Sequence, residues 1–594
     1  MTTTEAPPPA PPPSRASRQA PPGPHYKWTA LSNTTLGMFM ASLDASIVLI
    51  SLPAIFRGIH LDPLEPSNIS YLLWMLMGYL VVTAVLVVTF GRLGDMFGRV
   101  RMYNSGFAIF TAASIALSLT PWTGSAGAMW LIVFRIVQGI GGALLMANST
   151  AILTDAFPAG ERGRAMGISM IAGISGSFIG LVLGGILADI NWRLVFWVNV
   201  PFGLFGTVWA YLKLRELGTS QRARIDVAGN VTFGVGLVMV LMGLTYGLQP
   251  YGGHTMGWTS PWVLFELIGG LALLAAFVAI ERRVDDPMFD LHLFQIRAFT
   301  AGNMASFLSS VGRGGLQFML IIWLQGIWLP LHGYSFERTP LWAGIYMLPM
   351  TAGFLVAGPV AGWLSDRYGP RLFATAGMLI AALSFGLLML LPSNFSFPAF
   401  AALLLMNGIG MGLFAAPNTT GIMNSVPSNR RGVASGMRAT FQNTGMVLSI
   451  GVFFSLMIVG LASTLPSTMQ AGLVANHVPA QTAAAVSHEP PVGVLFAAFL
   501  GYNPMEKLLG PKTLAAMPHS SVAAVTGKAF FPSLVSDAFI HGLRIAFTAS
   551  LIMCLIAAWA SWMRGGLVDD ADAVADEDLS FEEARAVQQA TVRA

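Results

Sequence analysis

Long apolar runs separated by short polar links set the plan of this chain. They lie near residues 30–56, 70–90, 101–120, 128–153, 163–188 and 193–212. Others lie near 228–248, 262–281, 298–329, 341–364, 371–391, 398–424, 432–462 and 538–563. A helix crosses the hydrocarbon of a bilayer with about 20 mainly apolar residues. The pattern therefore predicts fourteen transmembrane helices and an all-α membrane protein. A further apolar stretch, "PVGVLFAAFLG" at 491–501, is too short to span comfortably. It is expected to be an interfacial or re-entrant piece within a long loop over 463–536.

Composition points the same way, with 54% hydrophobic and only 10% charged residues in the 594-residue chain. Soluble domains carry roughly a quarter charged residues. Residues 1–27 are proline-rich and lack the apolar core of a secretory signal, so a disordered cytoplasmic tail is expected there. Residues 564–594 read as an acidic cytoplasmic tail. The Lys and Arg residues crowd alternate links, as in Arg92, Arg99 and Arg101, Arg162 and Arg164, or Arg282, Arg283 and Arg297. The other links hold only Arg57, Arg193, Arg338, Lys507, Lys512 and Lys528. That bias places the basic links and both termini in the cytoplasm, as expected for a multi-pass protein of the cell inner membrane. The single cysteine, Cys554, rules out an intrachain disulfide.

The chain also repeats itself. "GRLGDMFGRVRMY" at 91–103 returns as "GWLSDRYGPRLF" at 362–373, and "ERGRAMG" at 161–167 as "RRGVASG" at 430–436, both about 270 residues on. Two matches at nearly one offset mark an internal repeat, a common feature of transporter folds. In the first pair Gly91, Asp95, Gly98 and Arg101 answer to Gly362, Asp366, Gly369 and Arg371. Glycines permit a tight turn between helix ends, and the aspartate and arginines can bridge those ends while they stay close. Such a loop is a breakable latch on one face.

These stretches resemble the major facilitator superfamily, whose signature loop G-x-L-x-D-x-x-G-R-x-R is matched at 91–101. "LDASIVLISLP" at 43–53, "LIVFRIVQGIGGA" at 131–143 and "WRLVFWVNVPFG" at 192–203 narrow the likeness to the fourteen-span drug:proton antiporter family of the EmrB/QacA type. The resemblance implies a first six-helix bundle over 28–213, two inserted helices with linkers over 214–297, and a second bundle over 298–563. It also implies rocker-switch alternating access about a central cavity. The latch residues carry over as Gly91, Asp95, Gly98 and Arg99, with Asp155 at the end of the fourth helix as a partner for Arg99. The fifth-helix motif is partly met: Gly176, Gly180, Gly184 and Gly185 fit, but Leu181 stands where the pattern has proline. Glycines so spaced serve either plain helix packing or sealing of the cavity.

Charges inside the runs are the candidate chemistry. A charge at a helix centre costs about 2.5–3.5 kcal/mol on insertion scales and needs a cavity or a partner. Asp44 in the first run and Arg135 in the fourth are the candidate proton-coupling pair, with a static ion pair as the alternative. The second half has Leu404 or Leu405 in the place of Arg135, so the charges are asymmetric. Glu266 and Asp537 fall near helix ends and read as interfacial. Arg313 and Arg544 are expected to be satisfied by carbonyls or, for Arg313, by Gln317. Should Arg313 and Gln317 line the cavity instead, neutral or anionic substrates would be favoured over bare cations.

No G-x-x-x-x-G-K-[ST] motif is present, and the nine histidines show no metal-ligand spacing. The expectation is a monomeric transporter, not an enzyme, with no cofactor, metal or nucleic-acid partner. It would export amphiphilic or drug-like small molecules in exchange for protons. The alternatives are a dedicated exporter of one lipid, siderophore or antibiotic, and a receptor or scaffold that no longer transports.

Overall fold

The apolar runs become helices whose irregularities fall where the sequence puts proline. The computed structural model describes residues 25–565, except 63–64, 66–67, 159–160, 218–225, 249–250, 253, 255, 285–286, 288, 428–429 and 502. The proline-rich and acidic tails expected at the two ends lie outside the described residues, apart from a few at each boundary. Residues 26 and 27, assigned to the tail from sequence, instead open the first helix.

The spanning helices are α1 (Tyr26–Gly58), α2 (Ile69–Phe97), α3 (Arg99–Ser118), α4 (Gly124–Ala156), α5 (Arg162–Ile190) and α6 (Leu194–Lys213). The inserted pair is α7 (Val227–Gly247) and α8 (Pro261–Glu281). Then come α9 (Arg297–Leu331), α10 (Thr339–Tyr346 with Leu348–Tyr368), α11 (Pro370–Leu388), α12 (Phe397–Asn424), α13 (Arg431–Ala475) and α14 (Phe530–Trp562). Among the described residues, thirteen of these are long and apolar enough to cross a membrane. The fourteenth, α3, has 20 residues, about 30 Å of helix. Only its first turns, with Arg99, Arg101 and Asn104, make it more polar than the rest.

Helix α6 is interrupted at Val198 because Pro201 cannot donate to the carbonyl four residues earlier. Pro349 acts likewise on α10 at Met347. In α9, Pro330 follows a single π-helical stretch, Leu324–Trp328.

Two sets of helices pack on themselves. In the first, α1 lies along α5, while α2 and α3 pack on α4; in the second, α10 and α11 pack on α12, and α9 on α13 and α14. Helices α7 and α8 pair with each other, and α7 rests where α2 meets α13. We call the side on which α1 begins and α14 ends the near face, and the other the far face. The connection between α13 and α14 differs from the loop expected over 463–536. Helix α13 runs on through Pro466 to Ala475, and α14 starts at Phe530. Short helices Ala480–Ser487, Pro491–Phe499, Met505–Ala516 and His519–Thr526 fill the remainder on the far face. The apolar Pro491–Phe499 is buried in protein along its whole length, with Ala498 O against Gly326 in the π segment of α9.

Candidate functional site: a buried ion pair beside a central cavity

Asp44 sits midway along α1 and is fully buried, so its carboxylate must be answered by protein. Arg135 Nη1 of α4 lies 2.5 Å from Oδ2, and the arginine is itself only 2% exposed. Oδ1 accepts from Gln138 Nε2 at 2.9 Å and from Asn199 Nδ2 at 2.7 Å. Asn199 arrives at this spot because it opens the second part of α6, just after the interruption that Pro201 imposes. Arg135 also donates to Gln138 Oε1 at 2.6 Å and lies over the Tyr79 ring, 4.6 Å from its centroid. Gln138 passes the chain on to Ser114 Oγ of α3 at 2.9 Å. The two charges brought together from sequence thus sit in a network with Gln138 and Asn199. Both amides fall within stretches that carried the family resemblance, but their direction could not be read there.

Beside this pair the two bundles enclose a cavity of about 150 Å³. Arg135 lines it, and so do Ala45 and Ser46, the two residues that follow Asp44 on α1. Asp44 stands behind the wall. From the second bundle come Arg313 and Gln317 on α9, Phe354 on α10, and Asn407 and Met411 on α12. Among the described residues Arg313 makes no hydrogen bond or ion pair, and the Phe354 ring centroid lies 5.7 Å from its guanidinium. The expectation that carbonyls or Gln317 satisfy Arg313 does not hold; both side chains face the cavity. Arg544 does follow that expectation, donating to Met389 O at 3.2 Å. Glu266 is half-buried on α8 and Asp537 exposed on α14.

The cavity is closed toward the far face by backbone-close contacts between bundles. Gly185 of α5 packs on Leu341 of α10, and a Cβ at Gly344 would stand 2.7 Å from Leu181 O. Gln325 Nε2 donates to Ile50 O at 3.2 Å. Beyond them Arg57 Nη1 donates to Leu500 O at 3.2 Å, and Lys507 pairs with Asp62. Of the α5 glycines, Gly176, Gly180 and Gly184 all face α1, where a Cβ at Gly180 would lie 2.6 Å from Leu43 O. Gly185 alone turns to the other bundle.

On the near face the first copy of the repeated loop forms ion pairs. Arg99 reaches Asp95 at 2.7 Å and Asp155 at 2.6 Å, joining the ends of α2, α3 and α4. Gly98 takes φ 108°, a value only glycine adopts freely. Gly91 faces open space, whereas Gly94 is the close approach, packed on the Asn148 amide. Arg101 is exposed and makes no hydrogen bond or ion pair among the described residues. Sequence reading missed Glu216, whose carboxylate accepts from Val100 N at 3.1 Å at the start of α3. Burial holds its pKa above the ordinary glutamate value. In the second copy Gly369 repeats the positive φ at 85°, and Gly362 packs loosely near Ala416. Arg371 forms no ion pair among the described residues and stacks instead on Trp562, 4.0 Å away, at the end of α14. The side chain of Asp366 lies outside the described residues.

A repeated half, a two-bundle helical fold and a cavity between the bundles meet here with a family model. The model described as Major Facilitator Superfamily matches residues 34–227 and again 227–450. The chain belongs to the Major Facilitator Superfamily. Within it, the chain is 30% identical over 538 residues to the multidrug resistance protein Stp of Mycobacterium tuberculosis, across 89% of this chain and 90% of Stp. It is 28% identical over 539 residues to the tetracenomycin C resistance and export protein of Streptomyces glaucescens, with 89% and 90% covered. Among solved superfamily structures, a bacterial homolog of the human lysosomal transporter Spinster, inward-facing and occupied, matches with a TM-score of 0.52 at 16% identity. That match covers 91% of this chain and 97% of the homolog. A POT family peptide transporter also gives 0.52, at 13% identity over 80% and 96%. These likenesses establish the fold. As a superfamily member the protein is a transporter and not an enzyme.

Proposed function

We propose that the protein exports amphiphilic or drug-like small molecules by alternating access, driven by proton entry through Asp44. The observation that carries this is the Asp44–Arg135 ion pair, fully buried and one residue behind the cavity wall. The carboxylate meets one arginine and two amide donors in a place where an ionisable group is expensive and marks function. Protonation of Asp44 breaks the pair and frees Arg135 into the cavity that it lines, and loss of the proton draws Arg135 back. Loading the cavity and holding a proton on Asp44 then exclude one another, as exchange requires. The similarity to proteins named for multidrug resistance and for export of an antibiotic supports the outward direction. Whether the cargo is a range of drugs or one dedicated product is decided by a substrate panel.

In this reading the near face, where the basic links gather, is cytoplasmic with both termini, and the membrane is the inner one. Residues 28–213 and 298–563 act as the two moving bundles of a monomer, with 214–297 as the inserted pair. Asp95, Arg99 and Asp155 form a latch inside one bundle end. The far-face contacts through Gly185, Gln325 and Arg57 hold the outside shut.

The test is substrate-triggered proton release from purified wild-type protein and from Asp44→Asn, with a panel of neutral and charged dyes. Release by wild type alone, with dye binding kept in the mutant, is expected. Equal release from both would remove Asp44 from the coupling role.

A further inference from the structure

The cavity wall carries polarity that the protein itself leaves unanswered. Asp44 neutralises Arg135, and no Asp or Glu is among the described residues that line the cavity. Arg313 therefore gives the cavity a net positive charge. Gln317, one turn further along α9, shares its face.

The internal repeat shows what is different about this half. In the first bundle Gln138 Nε2 donates to Ser114 Oγ of α3 at 2.9 Å. In the second, about 270 residues on, Asn407 Nδ2 donates to Ser384 Oγ of α11 at 2.8 Å. The amide–serine bridge is thus present twice. In the first copy the amide oxygen receives Arg135 at 2.6 Å. In the second copy leucine stands at both 404 and 405, and Asn407 Oδ1, buried at the cavity wall, has no partner among the described residues. One guanidinium without a counter-charge and one buried acceptor without a donor thus line the same space. A guanidinium in such a place is unfavourable until an anion meets it, and an orphaned buried acceptor until a donor does.

We propose that Arg313, with Gln317 and Asn407, is the recognition pole for an acidic oxygen on the substrate. The class is an aromatic or aliphatic amphiphile bearing a carboxylate, phenolate or enolate, whose apolar body lies against Phe354, Met411 and Met446. A hydroxyl or N–H beside the acidic oxygen donates to Asn407 Oδ1. Permanently cationic amphiphiles are disfavoured by the uncompensated charge. This rests on the reading of the cavity as the substrate site.

The experiment measures equilibrium binding of naphthoate, naphthylmethanol and naphthylmethylammonium to the full-length protein in lipid nanodiscs. The three share one apolar body and differ in charge. Wild type is expected to bind naphthoate at least about tenfold more tightly than naphthylmethylammonium, the scale of one charge-assisted contact. Arg313→Gln is expected to lose about tenfold for naphthoate while keeping naphthylmethanol, which also shows that the variant is folded. Arg313→Lys should restore part of the loss. Equal binding of the anion and the cation by wild type, or unchanged naphthoate binding by Arg313→Gln, overturns the inference and leaves the exporter reading intact. Failure of all three probes to bind overturns the cavity as the substrate site, and this inference with it.

Discussion

At the scale of single residues, Asp44 is held by an arginine and two amides of unequal worth. Leaving a buried charge unpaired costs about 3–5 kcal/mol, and losing one hydrogen bond to a charge costs about 1.5–3 kcal/mol. Arg135→Ala should therefore lower the thermal midpoint more than Asn199→Ala, read by differential scanning fluorimetry in one detergent. The reverse order would mean that Arg135 is answered by something other than Asp44. Glu216 gives a pH-dependent term of opposite origin. Its raised pKa means the fold disfavours its ionised form, so its contribution is greatest below the ordinary glutamate pKa and is lost as pH rises through the folded value. Glu216→Gln should flatten that part of a stability–pH profile, and an unchanged slope would deny it. Asp44, Arg135 and Arg313 were legible because each is a charge inside an apolar run. Asn199 was not, because its aim depends on the helix interruption at Val198, and Glu216 was not, because its partner is a backbone N–H more than a hundred residues away.

At the scale of helices, α5 has two different glycine faces that one motif concealed. Gly180 lets α5 approach α1 within its own bundle, and Gly185 lets it approach α10 across the cavity. Gly180→Val should reduce folded yield, since its new methyl groups meet the Leu43 carbonyl. Gly185→Val should instead leave each bundle intact and loosen the far-face seal. Thiol labelling of Ser46→Cys in a Cys554→Ser background reads the difference: labelling by an impermeant reagent from the far side should rise in Gly185→Val alone. Equal labelling in both would assign the two glycines to one role. Helix count and order followed from apolar run length, which the bilayer enforces. The π stretch of α9 did not, although Pro330 marks it in retrospect. Nor did the unequal fates of the two repeated loops: Arg371 resembles its counterpart in sequence, but its neighbour Trp562 comes from the end of α14.

At the scale of the whole molecule, the far-face connection joins the bundles as well as covering one of them. Arg57 ends the first helix and Asp62 lies in the link after it, while Leu500 and Lys507 belong to the connection before the last helix. If that face opens during transport, these ties must part. Cysteines at 62 and 507, in the Cys554→Ser background, should therefore arrest transport when joined by a short cleavable bifunctional thiol reagent and release it on cleavage. Continued transport by the joined protein would show that the connection rides with both bundles. This arrangement was hidden in the sequence because a buried nine-residue apolar helix, Pro491–Phe499, looks like a failed span until its neighbours are known. The repeated amide–serine bridge, Gln138 with Ser114 and Asn407 with Ser384, carries a different message. A chain that contains the same fold twice keeps a record of its ancestry, and what both copies retain is older than their divergence. By that chronology the bridge predates the split between the halves. The Asp44–Arg135 pair and Arg313 each stand in one copy alone, so two halves alike in fold now differ in charge.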